Sequence, residues 1–224
     1  MISLIPVAKI KTDFPTKFGI PRQSGMTDLL SCIVFEKDFR KEESIRGIEG
    51  FDYLWLIWGF DKAKESRALT VRPPRLGGNT RIGVFATRSP FRPNKLGLSS
   101  VKLVSVEKTD TFGTVLIVSG ADIADDTPIY DIKPYLPFTD CHPDAKSGFS
   151  ETPTTQELKP VVPDELIPDD FPIEKLESLK KILSFDPRPS YRNDDREYGF
   201  PFAGYEIKFR VLDNTATVTF MKKL

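Results

Sequence analysis

The stretch from Phe51 to Phe60, FDYLWLIWGF, restricts the possible folds of this chain more than any other segment. Nearly all of its residues are apolar or aromatic, and the stretch is too short to span a membrane as a helix. Its aromatic content is typical of a β-strand, and the pattern predicts a strand that is buried on both faces. Such a strand belongs in a β-rich core.

Several other segments predict short strands, because they alternate or are rich in β-branched residues. The predicted strands are 2–11, 28–35, 81–87, 98–108, 114–119 and 129–132. Residues 12–25 have the composition of a loop, and residues 39–50 fit a short helix that ends near Gly47 or Gly50. Short strands, few helices and frequent Gly and Pro indicate a mainly β fold, either a barrel or a sandwich.

The composition changes after Ala145. Residues 146–171 are rich in proline and in acids, which predicts a linker or an irregular cover. Apolar residues at helical spacing predict a helix from about Pro172 to Ser184, with Asp169 and Asp170 as its caps. Residues 200–212 and 215–221 alternate, and Asp213-Asn214 between them predicts a hairpin turn. We therefore expect a β-rich domain of residues 1–145 and a small α+β domain of residues 172–224.

Charge is distributed unevenly along the chain, although the formal net charge is +0. Residues 67–102 hold eight basic side chains and no acid, whereas residues 120–177 hold fourteen acids and four lysines. A basic stretch of this kind is typical of a surface that binds an anionic or phosphate-bearing ligand. The basic residues are Arg67, Arg72, Arg75, Arg81, Arg88, Arg92, Lys95 and Lys102.

Several function classes find no support in the sequence. The chain has no GxGxxG, P-loop, GxSxG or HExxH motif, and its two cysteines, Cys32 and Cys141, cannot form a zinc site or a disulfide framework by themselves. We expect no bound metal, no signal peptide, no membrane span and a cytoplasmic location with reduced cysteines. His142 is the single histidine and is expected to lie on the surface, so acid–base chemistry falls to Asp, Glu, Lys or Tyr.

Three separated motifs resemble those of one family. Arg72-Pro-Pro-Arg-Leu-Gly-Gly-Asn79, the block from Phe85 to Asn94, and Asp131-Ile-Lys-Pro-Tyr-Leu-Pro137 closely resemble the TrmO/TsaA-like tRNA methyltransferases, which act on threonylcarbamoyl-adenosine next to the anticodon. The loop Pro21-Arg-Gln23 and the segments 46–55 and 186–191 match as well. The resemblance implies an antiparallel β-barrel that binds S-adenosyl-L-methionine without a Rossmann sheet. It also implies a homodimer, a small C-terminal domain, and the anticodon stem-loop of tRNA as partner.

The resemblance also implies the cofactor-binding residues, in four clusters. Backbone groups on a turn can read the edge of adenine, an acid can hold a ribose hydroxyl, and an aromatic ring can cover apolar surface. The residues are Pro21, Arg22, Gln23, Phe60, Asp61, Arg88, Leu98, Ile123, Ala124, Asp125 and Asp126.

The acceptor chemistry suggests further roles. The acceptor nitrogen belongs to a urea-like group and is a weak nucleophile, so in-line positioning matters, and Asp131 and Tyr135 are the candidate bases. Arg92 is the candidate partner of the threonyl carboxylate, because a guanidinium matches two carboxylate oxygens. The remaining cations are expected to follow the phosphates of the anticodon stem: Arg72, Arg75, Arg81, Lys95 and Lys102.

Two positions depart from the family pattern. Lys95 stands where the family often has proline, which frees a backbone N–H and is expected to loosen the loop. Asp126 stands where the family commonly has glycine, a costlier choice if φ is positive there. Two alternatives remain open on sequence grounds: a non-catalytic RNA-binding barrel, and methyl transfer to another nucleotide acceptor.

Overall fold

The computed structural model describes residues 3–150, 157–188 and 194–224. Of Arg75, only the backbone is described. Motif residues 189–191 therefore lie outside the described residues. The strands within these ranges are β1 (Ala8–Lys11), β2 (Leu30–Phe35), β3 (Tyr53–Gly59), β4 (Thr70–Val71), β5 (Ile82–Gly83), β6 (Leu96–Thr109), β7 (Gly113–Ser119), β8 (Thr127–Pro134), β9 (Lys159–Val161), β10 (Tyr198–Phe202), β11 (Tyr205–Leu212) and β12 (Thr215–Lys223). The α-helices are α1 (Pro137–Asp140) and α2 (Leu176–Ser184).

Within the described ranges, six antiparallel strands close into a barrel in the order β1-β2-β7-β6-β3-β8. Closure depends on β1, in which Ala8 pairs with Phe35 of β2 and with Ile129 of β8. Alternate side chains point into the barrel and are fully buried, including Ile10, Leu54 and Leu116. The expectation of a mainly β fold built on an antiparallel barrel is confirmed.

The strand β3 is buried on only one face, so the prediction of two buried faces was wrong. Leu54 and Leu56 point into the barrel and are 0% exposed, whereas Tyr53 on the other face is 44% exposed. Trp55 and Ile57 on that outer face are half-buried. Aromatic residues alternating with aliphatic ones made both faces look apolar, although only one meets the core.

Two further segments differ from their predictions. Residues 39–50 form short 3₁₀ turns, which include Glu42–Ser44 and Ile48–Gly50, instead of one helix. Gly47 lies between them with φ +88°, a conformation that ends any helix there. The predicted strand 81–87 shrinks to β5 (Ile82–Gly83), and a 3₁₀ turn follows at Val84–Ala86.

The C-terminal sheet has the order β10-β11-β12-β9 and packs against α2 around a second core. Strand β9 pairs in parallel with β12, so residues 146–171, expected to be a linker or irregular cover, include a strand of this sheet. The helix is confirmed, but Asp170 does not cap it, because its carboxylate accepts bonds from Tyr205 and Lys223. A 3₁₀ turn at Ile173–Lys175 precedes α2 instead.

Tight turns connect the C-terminal strands. Asp213 and Asn214 have φ +44° and +60°, as expected for a two-residue hairpin, and they join β11 to β12. The alternating run 200–212 is interrupted by Ala203 and Gly204, which have φ +52° and +82° and make a second turn. The single predicted strand is therefore part of two, β10 and β11.

The loop between β1 and β2 leaves the barrel and packs into the C-terminal core. Phe14 and Leu29 of this loop are buried in the C-terminal core. A side-chain atom added at Gly19 would lie 2.4 Å from the ring of Phe200, so the loop and β10 are in close contact. Ion pairs from Asp13 to Lys175 and from Asp28 to Lys181 fasten the same loop at 2.5 and 3.1 Å. The C-terminal sheet thus fixes the shape of this loop.

Lys95, one of the departures from the family pattern, has φ +45°. A proline ring fixes φ near about −65°, so this loop has a shape that proline cannot adopt. The backbone N–H of Lys95 donates to the carbonyl of Arg92 at 3.3 Å, and its Nζ donates to the carbonyl of Ala63 at 3.2 Å. The freed N–H therefore has a partner, and the substitution reshapes the loop rather than loosening it.

Replacing Lys95 by proline should lower the free energy of unfolding by more than about 1 kcal/mol, because φ must change sign and the bond to Arg92 is lost. Lys95→Gly is the matched control, since glycine tolerates positive φ and is expected to stay within about 1 kcal/mol of the original chain. Urea unfolding of the three proteins measures both effects. A proline variant as stable as the original would contradict the loop conformation.

Candidate active site

The candidate site lies at one end of the barrel, where β1, β3 and β7 end and β2, β6 and β8 begin. We call it the loop end. It is formed by the β1–β2 loop, the segment after β3, the 87–95 loop and the β7–β8 loop of residues 120–126. Because antiparallel neighbours place alternate termini together, all four cofactor clusters implied by the resemblance reach this end.

Backbone hydrogen bonds join the β1–β2 loop to the β7–β8 loop. Gly25 donates to Gly120 at 2.9 Å, and Asp125 donates to Phe14 at 2.8 Å. The Asp125 carboxylate also accepts the N–H of Thr12 at 3.0 Å. The two loops therefore form one rigid rim, although about 100 residues separate them in sequence.

The three residues of the Pro21-Arg-Gln23 cluster point in different directions. Pro21 is buried. Arg22 donates to the backbone carbonyls of Asp186 and Arg188, at 3.0 and 3.1 Å, and so is directed towards the C-terminal unit. Gln23 accepts a hydrogen bond from Arg88 at 2.5 Å. The structure thus joins the first cluster to Arg88 through Gln23.

A hydrogen-bonded chain runs from the barrel core to the rim. The indole N–H of Trp58 donates to Ser99 at 2.9 Å, and the Ser99 hydroxyl donates to the carboxylate of Asp122 at 2.5 Å. Burial raises the pKa of Asp122, while the bond from Ser99 and the charge of Arg88 act in the opposite direction. Sequence reasoning named Asp122 only among the acids of the 120–135 segment and not as a cofactor residue; its position between the apolar residues Ala121 and Ile123 was the available signal.

Glycine is required at position 97, next to the indole of Trp58 that begins this hydrogen-bonded chain. A side-chain atom added at Gly97 would lie 2.3 Å from the ring of Trp58. The ring of Phe60 packs edge-on against the same indole at 4.3 Å. Phe60 and Asp61 also line a small cavity of about 160 Å³ with Lys95. The indole therefore supports the Phe60 cluster and the Asp122 chain together.

The β7–β8 loop offers mainly its backbone. Asp126 has φ +62°, which confirms that this position needs the left-handed conformation that glycine adopts easily. Its carboxylate is 2.6 Å from Nζ of Lys11, and this hydrogen bond lowers the pKa of Asp126. Ile123 is fully buried in the barrel core, with Ala124 half-buried beside it. Lys62 donates to the carbonyl of Asp125 at 3.0 Å and so joins the Phe60–Asp61 cluster to this loop.

Leu98 and Asp131 lie on the outer face of the barrel. Both are paired with Ile57, which stands between them on β3, so the three form one row. Leu98 is 56% exposed. The Asp131 carboxylate is 2.9 Å from Lys133. Asp131 is therefore beside the Leu98 cluster, about 10 Å away at the usual strand spacing.

Arg92 and Tyr135 occupy different places. Arg92 is half-buried and donates to the carbonyl of Thr87 at 3.0 Å, within its own loop. The backbone N–H of Tyr135 donates to Tyr53, at the other end of β3 from Phe60. Seven residues of strand correspond to roughly 23 Å, so one chain does not bring Tyr135 to the loop end. Burial and Cys141 raise the pKa of Tyr135 above its ordinary value.

The basic stretch is exposed, and most of it lies between β3 and β6, which meet at the loop end; Lys102 lies further along β6, where it pairs with Tyr53. Arg72, Arg81 and Lys102 all have exposed side chains, and Arg81 donates to Thr70 at 3.0 Å. The aromatic ring of Phe85 in the same stretch is 77% exposed. An exposed ring among cations is a surface on which a nucleotide base can stack.

Neither a metal site nor a membrane-spanning helix is found in the described residues. No group of three or more His, Cys, Asp or Glu side chains there could hold a metal ion. No described helix is both long and apolar enough to cross a membrane.

Comparisons with known proteins agree with the motifs. Residues 9–141 match the family described as tRNA-methyltransferase O N-terminal domain, and residues 167–224 match the TrmO C-terminal domain. A relative from Escherichia coli, named tRNA (adenine(37)-N6)-methyltransferase, is 34% identical over 92% of each chain. One from Eikenella corrodens with the same name is 42% identical over 75% of this chain and 95% of its own.

Solved structures give the same result. A crystal structure of TrmO from Pseudomonas aeruginosa superposes with a TM-score of 0.78 at 26% identity, covering 100% of this chain and 98% of that one. A second TrmO crystal structure gives 0.76 at 27% identity over 99% of both chains. Since the two family domains match in order and the fold matches throughout, the chain belongs to the TrmO family of tRNA methyltransferases.

Proposed function

We propose that this chain transfers a methyl group from S-adenosyl-L-methionine to the exocyclic nitrogen of threonylcarbamoyl-adenosine, next to the anticodon of tRNA. The observation that carries the proposal is the convergence of the four cofactor clusters at the loop end, beside an exposed basic stretch. The names of the E. coli and E. corrodens relatives support the same reaction. A Pseudomonas aeruginosa relative is named a putative S-adenosylmethionine-dependent methyltransferase.

The residues at the loop end fit the cofactor chemically. Phe60 offers an aromatic edge beside a small cavity, and Asp61 is an exposed acid next to it. The carbonyl oxygens of the β7–β8 loop can each accept a further hydrogen bond. The carboxylates of Asp125 and Asp126 are already held by Thr12 and Lys11, and their backbone N–H groups donate to Phe14 and Ile10. When bound, the cofactor supplies an electrophilic methyl group on a sulfonium. The protein holds both reactants and excludes water.

The acceptor nitrogen is a weak nucleophile, so its orientation decides the rate. Arg92 holds the threonyl carboxylate in this proposal: one guanidinium nitrogen binds Thr87, which fixes the side chain and leaves its other N–H groups available. Asp131 is the candidate base in the row with Leu98. Tyr135 stays a candidate only if another copy of the chain brings it near, since its own barrel holds it at the far end.

Anticodon-stem phosphates are proposed to bind along the basic stretch, with Arg72, Arg81 and Lys102 as contacts of known exposure. Lys95 Nζ already donates one hydrogen bond to the carbonyl of Ala63, and Arg75 stays a candidate from sequence alone.

A cytoplasmic location follows from this substrate. The proposed domains remain 1–145 and 172–224, supported by the two separate cores, with β9 from the intervening segment added to the second.

The reaction is tested by incubating the protein with labelled S-adenosyl-L-methionine and bulk tRNA, with or without the threonylcarbamoyl modification, followed by digestion and identification of the methylated nucleoside. Label should appear only in threonylcarbamoyl-adenosine.

Arg88→Ala should weaken cofactor binding about tenfold or more, because it removes the charged contact beside Gln23. Arg210→Ala, on the C-terminal sheet, is the matched control and should behave as the original chain.

Two other results would identify the alternatives. Cofactor and tRNA binding without methylation would indicate a non-catalytic RNA-binding barrel. Label in a different nucleoside would indicate another acceptor.

The basic stretch predicts a steep salt dependence of tRNA affinity. Replacing Arg72, Arg81 and Lys102 together by alanine should reduce the slope of log affinity against log salt by about 1 or less for each contact. Filter binding at several salt concentrations measures the slope. A control that replaces the exposed lysines Lys41, Lys146 and Lys222 should leave it unchanged, and equal slopes for both variants would refute the basic surface.

A homodimer is also proposed, supported by the exposed apolar residues on the outer face of the barrel. Leu98 and Val104 of β6 are 56% and 49% exposed, beside Tyr53 of β3. Sedimentation should give twice the chain mass of 25.3 kDa. Val104→Lys should shift the protein towards monomer, whereas Leu212→Lys, on an equally exposed C-terminal residue, should not. A monomer at every concentration would overturn the proposal.

A further inference from the structure

Asp122 is a half-buried carboxylate without a cationic partner. Its neighbours in the loop, Asp125 and Asp126, lie next to Lys11 at 3.9 and 2.6 Å. Asp122 instead accepts the hydroxyl of Ser99, backbone groups of Asp122 and Ser24 also bond its carboxylate, and no lysine or arginine described in the structure lies within 4.0 Å of it. An ionised carboxylate in partial burial is costly unless a donor or a cation compensates it.

Arg88 lies near Asp122 without forming an ion pair. Its charge acts on Asp122, lowering a pKa that burial has raised. Its guanidinium instead donates to Gln23 at 2.5 Å. The rim thus presents a negative group and a positive group close together, with a separation beyond the ion-pair distance. A ligand that contributes a cation to one and an anion to the other would complete both.

An α-amino acid group has this arrangement, because its ammonium and carboxylate are attached to the same carbon atom. Resting on the proposed function, we propose that Asp122 binds the α-ammonium of the methionine end of S-adenosyl-L-methionine, while Arg88 binds the α-carboxylate. Ser99 and Trp58 act as positioning residues, since the Trp58 indole donates to Ser99 and the Ser99 hydroxyl holds one carboxylate oxygen of Asp122.

The test compares two ligands that differ in the amino-acid end. S-adenosylhomocysteine retains the ammonium and the carboxylate but has no sulfonium, and 5′-methylthioadenosine lacks the amino acid altogether. Asp122→Asn should weaken binding of S-adenosylhomocysteine by about ten- to a hundredfold, the range for a charge-assisted hydrogen bond. Binding of 5′-methylthioadenosine should change less than about threefold. Calorimetric titration measures both affinities.

Asparagine is chosen because its amide oxygen still accepts the Ser99 hydroxyl, so the loop is retained. Ser99→Ala is a second variant, and it should weaken S-adenosylhomocysteine selectively but less strongly. Asp110→Asn, an exposed acid in the β6–β7 turn at the opposite end of the barrel, is the charge-matched control and should bind both ligands normally. Circular dichroism verifies that each variant is folded.

Three results would overturn the inference. Equal weakening of both ligands would make Asp122 only a structural support of the loop. A loss for S-adenosyl-L-methionine without a loss for S-adenosylhomocysteine would place the carboxylate opposite the sulfonium. Unchanged affinities would remove it from the site. Failure of the proposed function is distinguishable from all three, because it would appear in the original chain, either as no binding of these ligands or as no methylation of threonylcarbamoyl-adenosine.

Discussion

The pairing of β1 with two neighbours is the constraint on which the loop end depends. This strand has only four residues, yet it closes the barrel between β2 and β8. Closure brings the β1–β2 loop against the β7–β8 loop, where Gly25 meets Gly120 and Thr12 meets Asp125. Without it, residues about a hundred positions apart would not form one rim. The strand topology therefore determines which loops form the candidate site, and the side chains of those loops then determine its chemistry.

Inside that rim, one aromatic ring connects packing with chemistry. Trp58 occupies the space that Gly97 leaves open, packs against Phe60, and donates its indole N–H to Ser99. The hydrophobic core thus determines where a polar hydroxyl lies, and the hydroxyl determines where the Asp122 carboxylate lies. A rigid side chain of this kind limits reorganisation when a ligand binds, which reduces the entropic cost of binding.

Much of the fold could be predicted from the sequence, because long alternating strands such as β6 and β12 produce an unambiguous period of two. Short elements could not, since 3₁₀ turns such as Glu42–Ser44 depend on single backbone angles. Motif resemblance located the cofactor clusters but not their directions: Arg22 faces the C-terminal unit, and Arg88 faces Gln23. Asp131 and Tyr135 are neighbours in one motif, yet an extended strand places them about 13 Å apart. Tyr135 therefore lies at the far end of the barrel, outside the candidate site.

The packing of the β1–β2 loop into the C-terminal core has a consequence for synthesis on the ribosome. Phe14 and Leu29 are translated early, but the side chains that cover them, including Phe200 and Phe202, follow more than 170 residues later. At about 5–20 residues per second, these apolar groups stay uncovered for roughly 10–40 seconds. The barrel strands can pair during this interval, whereas the rim acquires its final form only after the last hairpin has emerged. We therefore expect the loop end to acquire its final form after the barrel strands have paired.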